Sequence, residues 1–142
     1  MASYVGASAV AKYMFGASVV DKVYHGTTLI YTSLVALTAS ASPASVSGYA
    51  EDIPTQGYVE SNATTVTPAN GTGAAKTYSW AWLSGSTFTV TNPSSAATTF
   101  SETVGHLTSP RTGIYRCTVS DGTYAATVDV EISLNYVKLL EP

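Results

Sequence analysis

The chain has 142 residues, nine acidic and six basic, for a net charge of −3; only 11% are charged, against roughly 25% in an average globular protein. No two of the six Lys and Arg residues are adjacent, which excludes an electrostatic footprint for nucleic acid. A hydrophobic content of 45% excludes a wholly disordered chain, and an abundance of Ser, Thr and Tyr favours strands over helices.

In chain order, residues 1–33 form a first unit. Val19-Val20-Asp21-Lys22-Val23-Tyr24, the turn His25-Gly26-Thr27-Thr28 and Leu29-Ile30-Tyr31 read as a β-hairpin. Ala9 to Phe15, set between Gly6 and Gly16, reads as a further strand or a short helical turn. Some thirty residues cannot bury enough surface to fold alone. The unit must dock on its own neighbouring domain, on copies of itself or on a larger assembly. The candidate interface residues are Val19, Val20, Val23, Tyr24, Leu29, Ile30 and Tyr31.

Residues 34–134 carry a regular succession of short strands. Ser40 to Ser45 is an edge strand broken by Pro43. Tyr49 to Asn62, with Glu51, Asp52, Pro54 and Gly57, reads as a loop or a poorly formed edge. Ala63 to Thr67 is the next strand, and Pro68 to Gly73 a turn-rich connection. Thr77 to Leu83 is a strand closed by Ser84-Gly85. Trp80 faces the core on it, and Trp82, of the same parity, points to the same face nearer the end. Thr87 to Thr91 and Ala97 to Ser101 follow as strands, and Val104 to Arg111 is a crossing.

Gly113 to Ser120 alternates cleanly. Ile114, Arg116, Thr118 and Ser120 fall on one face; Tyr115, Cys117 and Val119 fall on the other. Asp121-Gly122 then signals a hairpin, since both residues tolerate positive φ. The returning strand, Thr123 to Leu134, sets Ala126, Val128, Val130, Ile132 and Leu134 against Thr127, Asp129, Glu131 and Ser133. Residues 135–142 read as a short tail that is apolar enough to dock.

Tyr115 stands two residues before Cys117, and Tyr78-Ser79-Trp80 lies about 35 residues upstream; together these resemble strands F and C of immunoglobulin-like sandwiches. The expected fold is therefore all-β: an Ig-like β-sandwich at 34–134, preceded by a small hairpin-containing assembly module at 1–33. The resemblance implies a structural core of Val66, Trp80, Tyr115 and Cys117, with Tyr115 making a corner hydrogen bond. Val66 occupies the position where such domains place a second cysteine. Cys117, the single cysteine, is thus expected as a buried free thiol, which suits folding in a reducing cytosol. No basic segment followed by an apolar run opens the chain, so no signal peptide is expected. The uncharged span 24–50 is too rich in Ser, Thr, Gly and Pro to read as a membrane helix.

Asp21 to Tyr31 resembles a short element recurring near the N-termini of tailed-phage virion proteins. Thr65-Val66-Thr67-Pro68, Lys76-Thr77-Tyr78-Ser79-Trp80, Thr98-Thr99-Phe100-Ser101 and Tyr115-Arg116-Cys117-Thr118-Val119-Ser120-Asp121-Gly122 resemble phage-encoded Ig-like domains. That family implies a virion structural protein assembled in the bacterial cytoplasm: a capsid decoration or head fibre, or a tail, baseplate or fibre component. Its implied partners are other virion proteins and further copies of itself, with neither nucleic acid nor membrane. The rival reading is a carbohydrate-binding or adhesion module contacting host-surface glycan.

Little in the sequence points to catalysis. His25 and His106 sit in predicted turns, outside any metal-ligand spacing. Asp129 and Glu131 share a strand face, with Asp121 and Glu51-Asp52 as further carboxylates, and a solvated face is a simpler reading than a calcium site. No Gly-x-Ser-x-Gly elbow exists. No catalytic residue, cofactor or metal ligand is assigned, and a non-enzymatic role is expected. The aromatics expected at the surface are Tyr49, Tyr58, Trp82 and Tyr124, which suit a protein interface or sugar stacking.

Overall fold

A computed structural model describes residues 13–15, 18–20, 22–25, 27–32, 35–51, 57–104 and 110–137. The chain divides into two compact units, Met1–Val35 and Ala36–Pro142. All regular structure among the described residues is β-strand.

In the first unit β1 (Tyr13–Phe15) pairs antiparallel with β2 (Ser18–Val20), and β3 (Lys22–His25) pairs antiparallel with β4 (Thr28–Thr32). His25, expected in a turn, is the last residue of β3 and stands opposite Thr28.

The second unit is an immunoglobulin-like β-sandwich. One layer is a four-stranded sheet in the order β6–β14–β13–β9. Its strands are β6 (Ser45–Glu51), β9 (Thr77–Gly85), β13 (Arg111–Ser120) and β14 (Ala125–Val137). The long central hairpin β13–β14 is antiparallel, whereas β6 runs parallel to the end of β14. The other layer holds β5 (Thr38–Ser42), β7 (Gly57–Glu60), β8 (Thr64–Ala69), β10 (Thr89–Val90), β11 (Ala97–Thr98) and β12 (Phe100–Val104). β8 pairs with β5 and β11, while β12 pairs with β7 and β10. Because β7 precedes β8 and β11 precedes β12, the middle of this layer is two bent strands lying side by side, with β5 beside β8 and β10 beside β12. The bend falls at Ser61, whose N–H donates to Phe100 O at 2.8 Å and whose hydroxyl accepts Phe100 N–H at 3.0 Å.

Two expectations are corrected here. Tyr49 to Asn62, read as a loop or weak edge, contains the end of β6 and all of β7. Gly57 in this stretch, and Gly48 just before it, are points of close approach rather than turn residues. A Cβ on Gly48 would lie 2.2 Å from Glu60 O, and one on Gly57 would lie 2.8 Å from the Tyr136 ring. The expected tail is also strand as far as Val137, since β14 continues there to pair with β6, and Tyr136 is buried. The chain changes layers at Pro43: Ser42 ends β5 on one sheet and Ser45 begins β6 on the other, with a cis Ser42–Pro43 bond between them.

The core follows from alternation. On β13, Gly113, Tyr115, Cys117 and Val119 are buried and their neighbours are not; on β14, Val130, Ile132, Leu134 and Tyr136 are. Val46, Val59, Val66, Trp80, Phe88 and Phe100 complete the packing.

Candidate functional site

The four residues expected to form the structural core do so. Cys117 and Val66 are fully buried, and Cys117 stands opposite Trp80 across β13–β9. Burial pushes the Cys117 thiol above its usual pKa, which suits an inert packing sulfur rather than a nucleophile. The Trp80 ring meets Phe100 edge-on at 5.7 Å, and its indole N–H donates to Ser95 O at 2.9 Å.

Tyr115 departs from the expected corner bond to a nearby residue. Its hydroxyl donates to Phe88 O at 2.7 Å and accepts Phe88 N–H at 2.6 Å, 27 residues upstream. Its ring lies 5.0 Å from Phe100 and 6.3 Å from Phe88. The hydroxyl therefore satisfies both backbone groups of a buried residue just before the short strand β10.

Asp121 is the residue that sequence reasoning misread. It was expected, with Gly122, as a turn residue that tolerates positive φ; of the two only Gly122 has positive φ, at 86°, and the Asp121 side chain is fully buried. One carboxylate oxygen accepts Thr72 N–H at 2.7 Å and the Thr72 hydroxyl at 3.0 Å. The other accepts Tyr124 N–H at 2.7 Å and Thr123 N–H at 3.0 Å. The backbone N–H of Thr72, then those of Tyr124 and Thr123 and the Thr72 hydroxyl, hold this carboxyl well below the usual carboxylate range. Lys76 Nζ stands 3.9 Å away. Asp121 thus locks the β8–β9 loop onto the β13–β14 loop. Thr72 and Asp121 are 49 positions apart, so no local pattern signals the bond.

The remaining carboxylates do not converge. Asp129 makes a two-point ion pair with Arg116, at 2.7 and 2.8 Å, on the outer face of the four-stranded sheet. Glu51 accepts the Tyr49 hydroxyl, and Glu131 is exposed. No group of three or more metal-ligating side chains exists among the described residues. Asp52 and His106 lie outside the described residues.

Tyr49 and Tyr58 are more than half exposed, as expected; Trp82 is 52% exposed although it shares the parity of the buried Trp80, and Leu83 is 40% exposed. They are dispersed. Tyr49 lies on β6, Tyr58 on β7 in the other layer, and Trp82 on β9 opposite Tyr115. Tyr124 is instead partly buried and packs against the core. An open trough of about 410 Å³ crosses the outer face of the four-stranded sheet, lined by Ser45, Ser84, Thr112, Ser133, Glu131 and Ile114 among others.

The candidate interface residues lie on the strands of the first unit. Val19 and Val20 are on β2, Val23 and Tyr24 on β3, and Leu29, Ile30 and Tyr31 on β4. The register sets Val19 opposite Met14, Tyr24 opposite Leu29 and Val23 opposite Tyr31.

No family model matches the chain, and no curated protein matches it. Among solved structures, a human PKD domain determined in solution aligns over 77% of this chain and 88% of its own, at 13% identity and a TM-score of 0.38. The M1 domain from titin aligns over 72% of this chain and 95% of its own, at 15% identity and a TM-score of 0.33. A nucleoside hydrolase-related hypothetical protein from Saccharophagus degradans, described as associated with carbohydrate metabolism, aligns over 74% of this chain and 26% of its own. Its identity is 13% and its TM-score 0.41.

Proposed function

We propose that this chain is a structural component of a tailed-phage particle, anchored by residues 1–33 and displaying its Ig-like sandwich. The carrying observation is the contrast between the two units. The second unit has a two-layered core of its own. The described strands of the first form two separate two-stranded sheets, an arrangement only marginally stable by itself in water. A sandwich complete in itself, joined to hairpins that need company, suits a displayed domain on a docking module. The sequence resemblance of Asp21–Tyr31 to virion proteins supplies the setting, and capsid decoration and tail placement fit equally. The role is architectural and involves no catalysis.

The test is electron microscopy of purified particles from the phage encoding this chain, with antibody raised against residues 36–142. Regular labelling of head or tail is the expected result. Unlabelled particles, with the protein found only free in the lysate, would refute the proposal.

The trough on the four-stranded sheet favours a second reading. Hydroxyls of Ser45, Ser84, Thr112 and Ser133 beside the Glu131 carboxylate suit a hydroxyl-rich ligand such as glycan. A glycan array on the purified chain decides it: a consistent sugar preference abolished by Glu131→Ala supports this reading, and uniform absence of signal removes it.

A further inference from the structure

The two described hairpins of the first unit follow one ten-residue pattern. Gly6, Gly16 and Gly26 stand ten residues apart. Around them, Val5-Gly6-Ala7-Ser8-Ala9-Val10-Ala11-Lys12 aligns with Phe15-Gly16-Ala17-Ser18-Val19-Val20-Asp21-Lys22, and both align with His25-Gly26-Thr27-Thr28-Leu29-Ile30. The structure repeats with the same period. β1 ends one residue before Gly16 and β2 begins two after it; β3 and β4 flank Gly26 identically. Phe15 pairs with Ser18 and Met14 with Val19; ten residues on, His25 pairs with Thr28 and Tyr24 with Leu29. The copies diverge only beyond that point, where β3–β4 slips by one residue to set Val23 opposite Tyr31.

Equivalent hairpins carry equivalent outer edges, so whatever strand pairs with one can pair with the other. Among the described residues the two hairpins do not pair with each other: β1–β2 and β3–β4 are separate sheets. Among the described residues each of the four strands keeps one edge unpaired. Natural proteins protect such edges with charge or proline. Residues 13–32 contain no proline, and Asp21 and Lys22 are their only carboxylate and their only Lys or Arg, so like copies carry no net formal charge at neutral pH. Short repeats that cannot bury themselves gain stability by stacking on further repeats of the same kind.

We propose that the partner of this unit is the same unit in a second copy of the chain, hairpin edge against hairpin edge, so that the ten-residue repeat continues from one copy into the next. This rests on the docking role argued above and names the partner in it.

The test uses the full chain. Val19→Pro and Leu29→Pro, at equivalent repeat positions, each remove one strand N–H. Self-association is measured by light scattering and sedimentation over a range of concentrations, and Trp fluorescence reports that the second unit, which holds both tryptophans, stays folded. Each variant should weaken self-association by about 10-fold or more, the worth of a lost interchain bond, and the double variant should be monomeric. A third variant replaces residues 15–22 by the sequence of 25–32 and should keep the oligomer. A wild-type monomer at all concentrations would overturn the proposal, as would an oligomer indifferent to both prolines or lost in the exchanged variant. Failure here is separable from failure of the functional reading. A chain monomeric in solution that still labels particles leaves the virion role standing without self-pairing; an oligomer absent from particles does the reverse.

Discussion

Replacing Tyr115 by Phe removes one oxygen and leaves the aromatic packing in place. That oxygen makes two hydrogen bonds to Phe88, at 2.7 and 2.6 Å, and both residues are buried. The ring contacts to Phe100 and Phe88 survive, so no cavity term enters. Two buried bonds at a net ~1 kcal/mol each set a floor of about 2 kcal/mol. Stranding the Phe88 N–H and C=O raises the cost, because an unsatisfied buried group forfeits roughly 1–3 kcal/mol. Thr87 and Thr89 on either side are exposed, so water can reach part of this backbone, and about 2–3 kcal/mol is the expected loss. Urea unfolding followed by Trp fluorescence measures it, with an unchanged m-value showing that the same surface unfolds. Tyr115→Ala should cost about 3–5 kcal/mol, since the ring is then lost as well. A loss for Tyr115→Phe below about 0.5 kcal/mol would mean that the hydroxyl does not hold Phe88 and that the core has been misread.

Three further outcomes follow from the packing. Cys117 should react slowly with a thiol reagent in the native state and rapidly in denaturant, and Cys117→Ser should cost on the order of 1–3 kcal/mol by placing a hydroxyl among apolar groups; fast native labelling would contradict its burial. Gly48→Ala should cost about 1–3 kcal/mol, because its Cβ would meet Glu60 O and the two strands must part, which thermal melts can read; a neutral result would mean that β6 does not lie against β7 there. The folded pKa of Asp121 lies below its unfolded value, so its stabilisation is complete above the unfolded pKa of about 4 and is lost as the pH falls toward the folded pKa. Asp121→Asn should therefore be less stable than wild type at neutral pH and less acid-sensitive below about pH 4, and parallel stability curves for the two would refute the lock.

What could be read from the sequence was whatever alternates in phase with burial. β13, β14 and β9 show period-two patterning around Tyr115, Cys117, Val130 and Trp80, and they form the centre of the sandwich. The end of β6 and β7 were hidden because Glu51, Asp52, Pro54 and Gly57 read as loop residues, whereas Gly57 serves a close ring contact with Tyr136. Tyr136 looked like part of a loose end because its partner strand had itself been taken for a loop. The Tyr115–Phe88 and Asp121–Thr72 bonds join residues 27 and 49 apart, and only the folded topology brings them together. In the candidate docking unit the turn before Leu29-Ile30-Tyr31 was legible, but Val19–Tyr24, read as one strand, is divided: Val19 and Val20 belong to β2 and pair with β1, while Lys22–His25 is β3 and pairs with β4.

The central claim is that residues 1–33 anchor the chain and the sandwich is displayed. The most direct measurement is the occupancy of particles assembled with residues 36–142 in place of the full chain, scored by the same antibody label. The account predicts that the truncated protein stays folded, with native Trp fluorescence and cooperative unfolding, and is absent from particles. A folded truncation that still occupies particles at the full-length level would contradict it.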